Sequence, residues 1–446
     1  MREAEYRRVV EDALQSTDAT VTVTVTRVSE IAELWAGYGS ICAVTLQNKK
    51  DDDSSTAPQE LILKVIRPPP SASSNGAGSS ASSRIDEGHL RKLLSYRVEA
   101  NFYSSALARS LLSSAVCAPH AAISKCHAVL NASFPYIQRE GEGGRSPPGK
   151  PSSTQAILLD DIRTVGFPYL AEEMRETLDD EQTKAALRWL AHFHAHFAGY
   201  QPSEPTDECP PPLDVASSTQ GWSGHGVWQV GGYSYTATRL TELSKIAPSS
   251  PWAKLGLNGD LAHAIDWALT PSGSACRAAG QTLIHGDVKS ANLAFSADGT
   301  RAAAYDFQFV GRGVGVTDLA KFLTTSVASS VLRSEESERD WLRFYHGHFI
   351  AAVQAEPEPE WTRAGAGAGA DTSQRLLASR RAAGEYTFEN LLEHWDLAVL
   401  SWQRFQAGWG AWGNTRWTQA RARAILERPG WSEALLRRWR ARDTDR

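Results

Sequence analysis

The stretch that most constrains this chain is residues 283–308, LIHGDVKSANLAFSADGTRAAAYDFQ. The apolar pair Leu283-Ile284 leads into His285-Gly286-Asp287, Asn292 comes five residues after Asp287, and Asp306 comes fourteen after Asn292. Between Asn292 and Asp306 lie two short apolar runs, 293–295 and 302–305, separated by Ser296-Ala297-Asp298-Gly299. Asp-Gly between apolar runs is a strong hairpin signal. A hairpin brings its open ends together at about 5 Å between strands. Asn292 and Asp306 are therefore expected to converge within about 6 Å, close enough to offer oxygen ligands to one hard cation such as magnesium. Asp287, on the loop leading in, is placed to orient an attacking hydroxyl or to accept its proton. A lone His-x-Asp or a carboxylate ending a strand carries little weight; the spacing of all three residues around a hairpin is what is specific.

The rest of the chain divides near residue 160. Before it, strand-like text dominates. The N-terminal helix MREAEYRRVVEDALQ precedes the alternating run TVTVTVTRVSEI, a turn at Gly37-Tyr38-Gly39-Ser40, a strand over 41–46, a polar loop, and the buried strand Glu60–Ile66. Residues 67–86 are rich in Pro, Ser and Gly and are expected to lack fixed structure. A helix follows from near Gly88, then two short strands bracketing the Gly/Pro-rich insert 141–153, the second ending at Asp160-Asp161. Beyond 160 the text is mostly helical and rich in tryptophan, with an Ala/Gly run at 364–370 expected to be a flexible loop. The expected architecture is α+β: a small antiparallel-sheet domain over 1–160 and a large helical domain over 161–446.

Composition excludes several classes. A net charge of -5 points to no nucleic-acid partner. Five cysteines, an odd number without CxxC or Cys/His ligand spacing, read as reduced thiols rather than a disulfide framework or zinc site. The first residues mix acids and bases and fit neither a signal nor a transit peptide. No run of 18 apolar residues is present, so no membrane span is expected. Asn131-Ala132-Ser133 matches a glycosylation acceptor by chance, and the cytoplasm is the expected compartment.

The segment 283–323 resembles the kinase-like superfamily that includes aminoglycoside phosphotransferases, choline kinases and ecdysteroid-kinase-like proteins. His285-Gly286-Asp287 with Asn292 is similar to their catalytic loop. Asp306-Phe307-Gln308 resembles the DFQ of the ecdysteroid-kinase-like branch, and GRGVGVTDLAKFL resembles that branch's G…DLAxFL. The resemblance implies a two-lobed protein-kinase-like fold and the use of ATP and magnesium. In it Asp287 is the catalytic aspartate, Asn292 and Asp306 bind the metal, and Asp318 braces the catalytic loop, with His285 supporting it. Two positions depart from the pattern. Lys289 stands where protein kinases place a phosphate-contacting lysine, whereas the ecdysteroid-type branch has Trp and the aminoglycoside enzymes His. Gln308 replaces the glycine of DFG.

The first 160 residues supply further matches. A lysine alone in a buried apolar strand, as Lys64 is in LILKVI, is costly unless paired. Glu99 in the following helix is its natural partner, and the two resemble the kinase pair that holds the α- and β-phosphates. Glu87 is a rival, read as a first-turn helix charge. Gly37, Gly39 and Ser40 would form the phosphate-covering turn, although a plain hairpin turn accounts for the same text. Asp160, Asp161 and Ile162 resemble the hinge whose backbone meets adenine.

The expected reaction is transfer of the γ-phosphoryl group of ATP to a hydroxyl of a small molecule. Only eleven residues separate Asp306 from Asp318, too few for a peptide-docking activation segment. The Trp/Tyr-rich segments 221–239 and 386–417 are available to line an acceptor pocket with apolar walls. Phe388, Trp395, Trp402 and Trp409 are spaced by sevens, a pattern that first of all describes a core face. His192, His194 and His196 are read as a helix face with one pocket residue, not a metal site. The rival readings are a nucleotide-binding pseudokinase scaffold, which would have lost Asp287, Asn292 or Asp306, and a protein kinase, supported by Lys289. The acceptor's identity and the oligomeric state are not encoded in any motif.

Overall fold

A computed structural model describes residues 2–17, 23–48, 58–69, 86–131, 154–171, 177–202, 204, 207–217, 222–270, 280–362 and 370–442. Most of the insert 67–86, all of 141–153, the polar loop at 49–57, the Ala/Gly run through 369, Cys276 and the Ala132-Ser133 part of the acceptor triplet lie outside the described residues. The architecture is mixed α+β, with an antiparallel sheet in the N-terminal part and many helices. By its contacts the chain forms two compact units. The first takes 1–109, 124–166 and 206–226; the second takes 110–123, 167–205 and 227–446.

In the first unit, helix α1 (Arg2–Thr17) precedes strands β1 (Val23–Glu33), β2 (Gly39–Asn48) and β3 (Gln59–Ile66). Helix α2 (Glu87–Ser104) and strands β4 (Cys126–Leu130) and β5 (Gln155–Asp160) follow. The sheet order is β1-β2-β3-β5-β4, antiparallel throughout. Alternation explains its core: Val25, Val28, Cys42, Val44, Leu61, Leu63, Val65 and Leu158 share one buried cluster, capped by Tyr6, Val9, Val10 and Ala13 of α1. β1 extends to Glu33, further than its alternating text suggested. The expected turn is also shorter: Gly39 and Ser40 already belong to β2, behind a single 3-10 turn at Trp35–Gly37.

In the second unit, the central strand Leu293–Phe295 pairs antiparallel with Ala302–Ala304 on one side and with Tyr169–Leu170 on the other. A second small sheet pairs Gln281–Ile284 with Gly311–Val314. The helix Asp180–His196 is capped at both ends of its first turn by the reciprocal bonds of Asp179 and Gln182. It buries Trp189 and Phe193, which pack beside Phe307, and Phe197 at its C-cap packs against Phe193. The helix Phe388–Trp409 buries Trp395 and Trp402, as core-face spacing expects, while Trp409 at its end stands half-exposed.

Candidate functional site

The loop between Ile284 and Leu293 is held from several directions. Asp318, at the start of the helix Val316–Thr325, accepts the backbone N–H of His285 at 2.7 Å and of Gly286 at 2.9 Å. Gly286 has φ +78°, and a Cβ there would lie 2.2 Å from the Phe309 carbonyl and 2.5 Å from the Gly232 nitrogen, so only glycine fits between His285 and Asp287. The His285 ring is buried. Nε2 donates to the Tyr305 carbonyl at 3.0 Å, and Nδ1 therefore accepts the Asp287 N–H at 3.2 Å. Burial lowers the pKa of His285 against the pull of Asp318 and Asp287, in keeping with a neutral ring. His194 adds a second contact to the brace: its Nε2 lies 3.2 Å from Asp318 and its Nδ1 2.8 Å from the Tyr345 hydroxyl.

The hairpin sets the remaining residues. Leu293 is opposite Ala304, and the Tyr305 N–H donates to the Asn292 carbonyl at 3.1 Å, so Asn292 and Asp306 stand at the hairpin's open end. Asp306 has φ +69° and is, with Ala36, one of two non-glycine residues at positive φ among the described residues. Such strain persists where surrounding structure over-determines it, and functional sites are where it gathers. One Asp306 oxygen accepts Gln308 Nε2 at 2.8 Å. The Asn292 amide nitrogen donates to the Asp287 carbonyl at 3.0 Å, so its oxygen is the atom that could hold a cation. The Asp306 carboxylate and the Asn292 amide oxygen are both oxygen donors of the kind a hard divalent cation takes, so the residues fit magnesium.

Asp287 itself is buried among cations. One oxygen pairs with Lys289 at 3.0 Å and the other with Lys321. Burial alone would raise the Asp287 carboxyl, but the ammonium groups of Lys321 and Lys289 outweigh it and hold it well below the usual carboxylate range. The Asp287 charge in turn raises Lys289. Lys321 also meets the Tyr233 hydroxyl at 2.9 Å and lies over its ring at 4.4 Å. Beside these groups opens a cavity of about 230 Å³, lined by Tyr233, Lys289, Lys321, Thr325, Phe405, Trp409 and Trp412. Sequence reading missed Lys321, although the signal was available: like Lys64, it is one cation in a buried apolar run, DLAKFL.

In the first unit, Lys64 and Glu99 meet at 2.7 Å, both buried. Glu87, the rival, sits in the first turn of α2 and pairs with Arg91. Gly39 lies so close to β3 that a Cβ would stand 1.9 Å from the Val65 carbonyl, so strand packing alone requires glycine there. Gly37, at φ +72°, faces open space, and the Ser40 hydroxyl accepts from Tyr6 at 3.1 Å. At the end of β5, Asp160 bonds His127 at 2.6 Å and its N–H is taken by the Lys125 carbonyl. The Asp161 carboxylate clamps Arg163, and its carbonyl accepts the Thr164 N–H; Ile162 is buried. The three helix histidines serve separate partners: His192 the Arg188 carbonyl, His194 Asp318, and His196 Glu356.

Against known proteins, residues 272–355 match the model of the Ecdysteroid kinase-like family. No curated protein matches the chain. Three solved structures are similar at low identity. An aminoglycoside-3'-phosphotransferase of type VIII is 14% identical with a TM-score of 0.31, covering 84% of this chain and 98% of that one. An ethanolamine kinase of Plasmodium vivax is 10% identical with a TM-score of 0.37, covering 92% and 86%. The choline kinase LicA from Streptococcus pneumoniae is 10% identical with a TM-score of 0.32, covering 89% and 98%. At such values the residues themselves carry the reading. The matched stretch contains the braced loop, the hairpin with Asp306, and the helix that supplies Asp318 and Lys321, and through it this chain is similar to the Ecdysteroid kinase-like family.

Proposed function

We propose that this chain is a phosphotransferase that moves the γ-phosphoryl group of ATP to a hydroxyl of a small molecule. The observation that carries the proposal is the braced loop: Asp318 holds the backbone of His285 and Gly286, and Asp287 follows at once, beside Asn292 and the strained Asp306. A scaffold without chemistry would not need these acids retained together.

Catalysis of this kind is positioning and electrostatics. The bond formed is acceptor oxygen to phosphorus, the bond broken is phosphorus to the bridging oxygen of ADP, and the hydroxyl proton is the one left over. Asp287, held well below the usual carboxylate range, is a weak base; it orients the hydroxyl and receives its proton only as the new bond forms. Lys289 and Lys321 share its two oxygens in the resting site; in this proposal Lys289 meets the transferring phosphoryl group. Magnesium, held by Asn292 and Asp306, would offset the charge of the phosphates. In the first unit, the buried Lys64, fixed by Glu99, is the group for the α- and β-phosphates, with the Gly37 turn and the Asp160–Ile162 backbone as further nucleotide contacts.

The acceptor proposed is a hydroxylated molecule with substantial apolar surface, because rings of Tyr233, Phe405, Trp409 and Trp412 line the cavity beside Asp287. Burying apolar area there contributes about 25 cal/mol per Å². The test is a panel with γ-labelled ATP: sterols, aryl alcohols, choline, ethanolamine, sugars, kanamycin and casein. Transfer to an apolar alcohol, abolished in Asp287→Asn, is expected. Preference for casein or kanamycin over every apolar alcohol would overturn it.

A further inference from the structure

The cavity beside Asp287 has two kinds of wall. Four are rings: Tyr233, Phe405, Trp409 and Trp412. The polar end is cationic, formed by Lys289 and Lys321, and no carboxylate is among the described residues that line it. Both ammonium groups converge on Asp287, and the Asp306 carboxylate also pulls on Lys289, so Lys321, stacked on the Tyr233 ring, is the cation turned toward the aromatic walls. Lys321 is also buried, 5% exposed, and stacked over the Tyr233 ring at 4.4 Å, so little bulk water screens it. Arg239 lies behind the same walls, 4.9 Å over the Trp409 ring, with Glu242 as its own partner.

Aromatic walls alone would suit a quaternary ammonium or amine alcohol. Two ammonium groups at the polar end reverse that preference, because a cationic acceptor would meet like charge at short range. Resting on the phosphotransferase reading, we propose that the cavity selects an aryl alcohol that also bears a carboxylate, with Lys321 as the residue that recognises the acid. The rings take the flat apolar body, and the Lys321 ammonium, already shared between Asp287 and Tyr233, turns one of its donors to the acid.

The experiment uses one skeleton in three charge states: 4-(hydroxymethyl)benzoate, its methyl ester, and 4-(hydroxymethyl)benzylamine. Binding to the full chain is read by tryptophan fluorescence and calorimetry without nucleotide, so that the result does not depend on turnover. The acid is expected to bind roughly tenfold or more tighter than the ester, the size of one charge-assisted hydrogen bond, and the amine weaker than both. In Lys321→Met the acid's advantage over the ester is expected to vanish. Equal or weaker binding of the acid in the unaltered chain, or no binding of it, overturns the proposal whether or not the variant folds. Transfer from ATP to the same three alcohols then separates the two readings. Acid-selective binding without transfer to any alcohol would sink the phosphotransferase reading alone; transfer that favours ester or amine would sink the charge selection alone.

Discussion

Asp318→Asn removes one charge and almost no volume, which makes it a sharp probe of the loop brace. The carboxylate, 1% exposed, accepts N–H groups from His285 at 2.7 Å and Gly286 at 2.9 Å, with His194 Nε2 at 3.2 Å. An amide in its place keeps one acceptor oxygen and sets an NH2 against the second backbone donor. Losing a charge-assisted bond costs about 1.5–3 kcal/mol, and a buried donor left unmet costs about 1–3 kcal/mol. The two overlap, so a loss of about 3 kcal/mol is expected, a large part of the ~5–15 kcal/mol typical of a domain. Asp287 follows Gly286 directly, so turnover should fall as well; about 1 Å of misplacement is enough for a 10²-fold loss. Urea unfolding followed by tryptophan fluorescence gives the first quantity and steady-state ADP release the second. A variant within about 0.5 kcal/mol of the unaltered chain, with normal turnover, would refute the assignment of Asp318 as the brace.

Three further outcomes are expected. Lys64→Met should cost about 3–5 kcal/mol in the same unfolding assay by leaving Glu99 without its 2.7 Å partner, and Lys64→Met with Glu99→Leu should recover much of it; a double variant no better than the single one would deny the coupling. His394 is buried and bonded to the Tyr386 hydroxyl, and burial with the nearby Arg438 lowers its pKa to about 4. The unfolded chain therefore binds that proton first: the stability His394 contributes is full above about pH 6.5 and about 3 kcal/mol of it is lost by pH 4, a slope that His394→Gln should flatten in a pH series of urea melts. Asp287→Asn should keep Mg-ATP binding and lose turnover, whereas Asp306→Asn should lose both; calorimetry showing equal loss of nucleotide binding in the two variants would undo the division of roles.

Much of this molecule is visible in one dimension wherever the cause is local. Alternation in LILKVI and CAVTL marks strands with one buried face, and the Asp-Gly at 298–299 marks the turn that returns Asp306 to Asn292. Lys64 announces a partner because an isolated buried cation is too costly; between the two carboxylates of the following helix, Glu99 answers it, while Glu87 in the first turn pairs with Arg91. His285-Gly286-Asp287 is likewise a local text, although the reason for its glycine, the Phe309 carbonyl 2.2 Å from any Cβ, comes from a distant segment. The tertiary structure decided what depends on contacts far apart in sequence. It assigned 110–123 to the second unit and 206–226 to the first. It added Tyr169–Leu170 as a third strand beside the hairpin, and it set His194 against Asp318 across 124 positions of chain. Above all it brought Lys321 onto Asp287 and closed Tyr233, Phe405, Trp409 and Trp412 around them. A periodic pattern states that a face is buried but not against which segment, because hydrophobic burial has no direction of its own; the identity of a pocket wall is settled only when the elements pack.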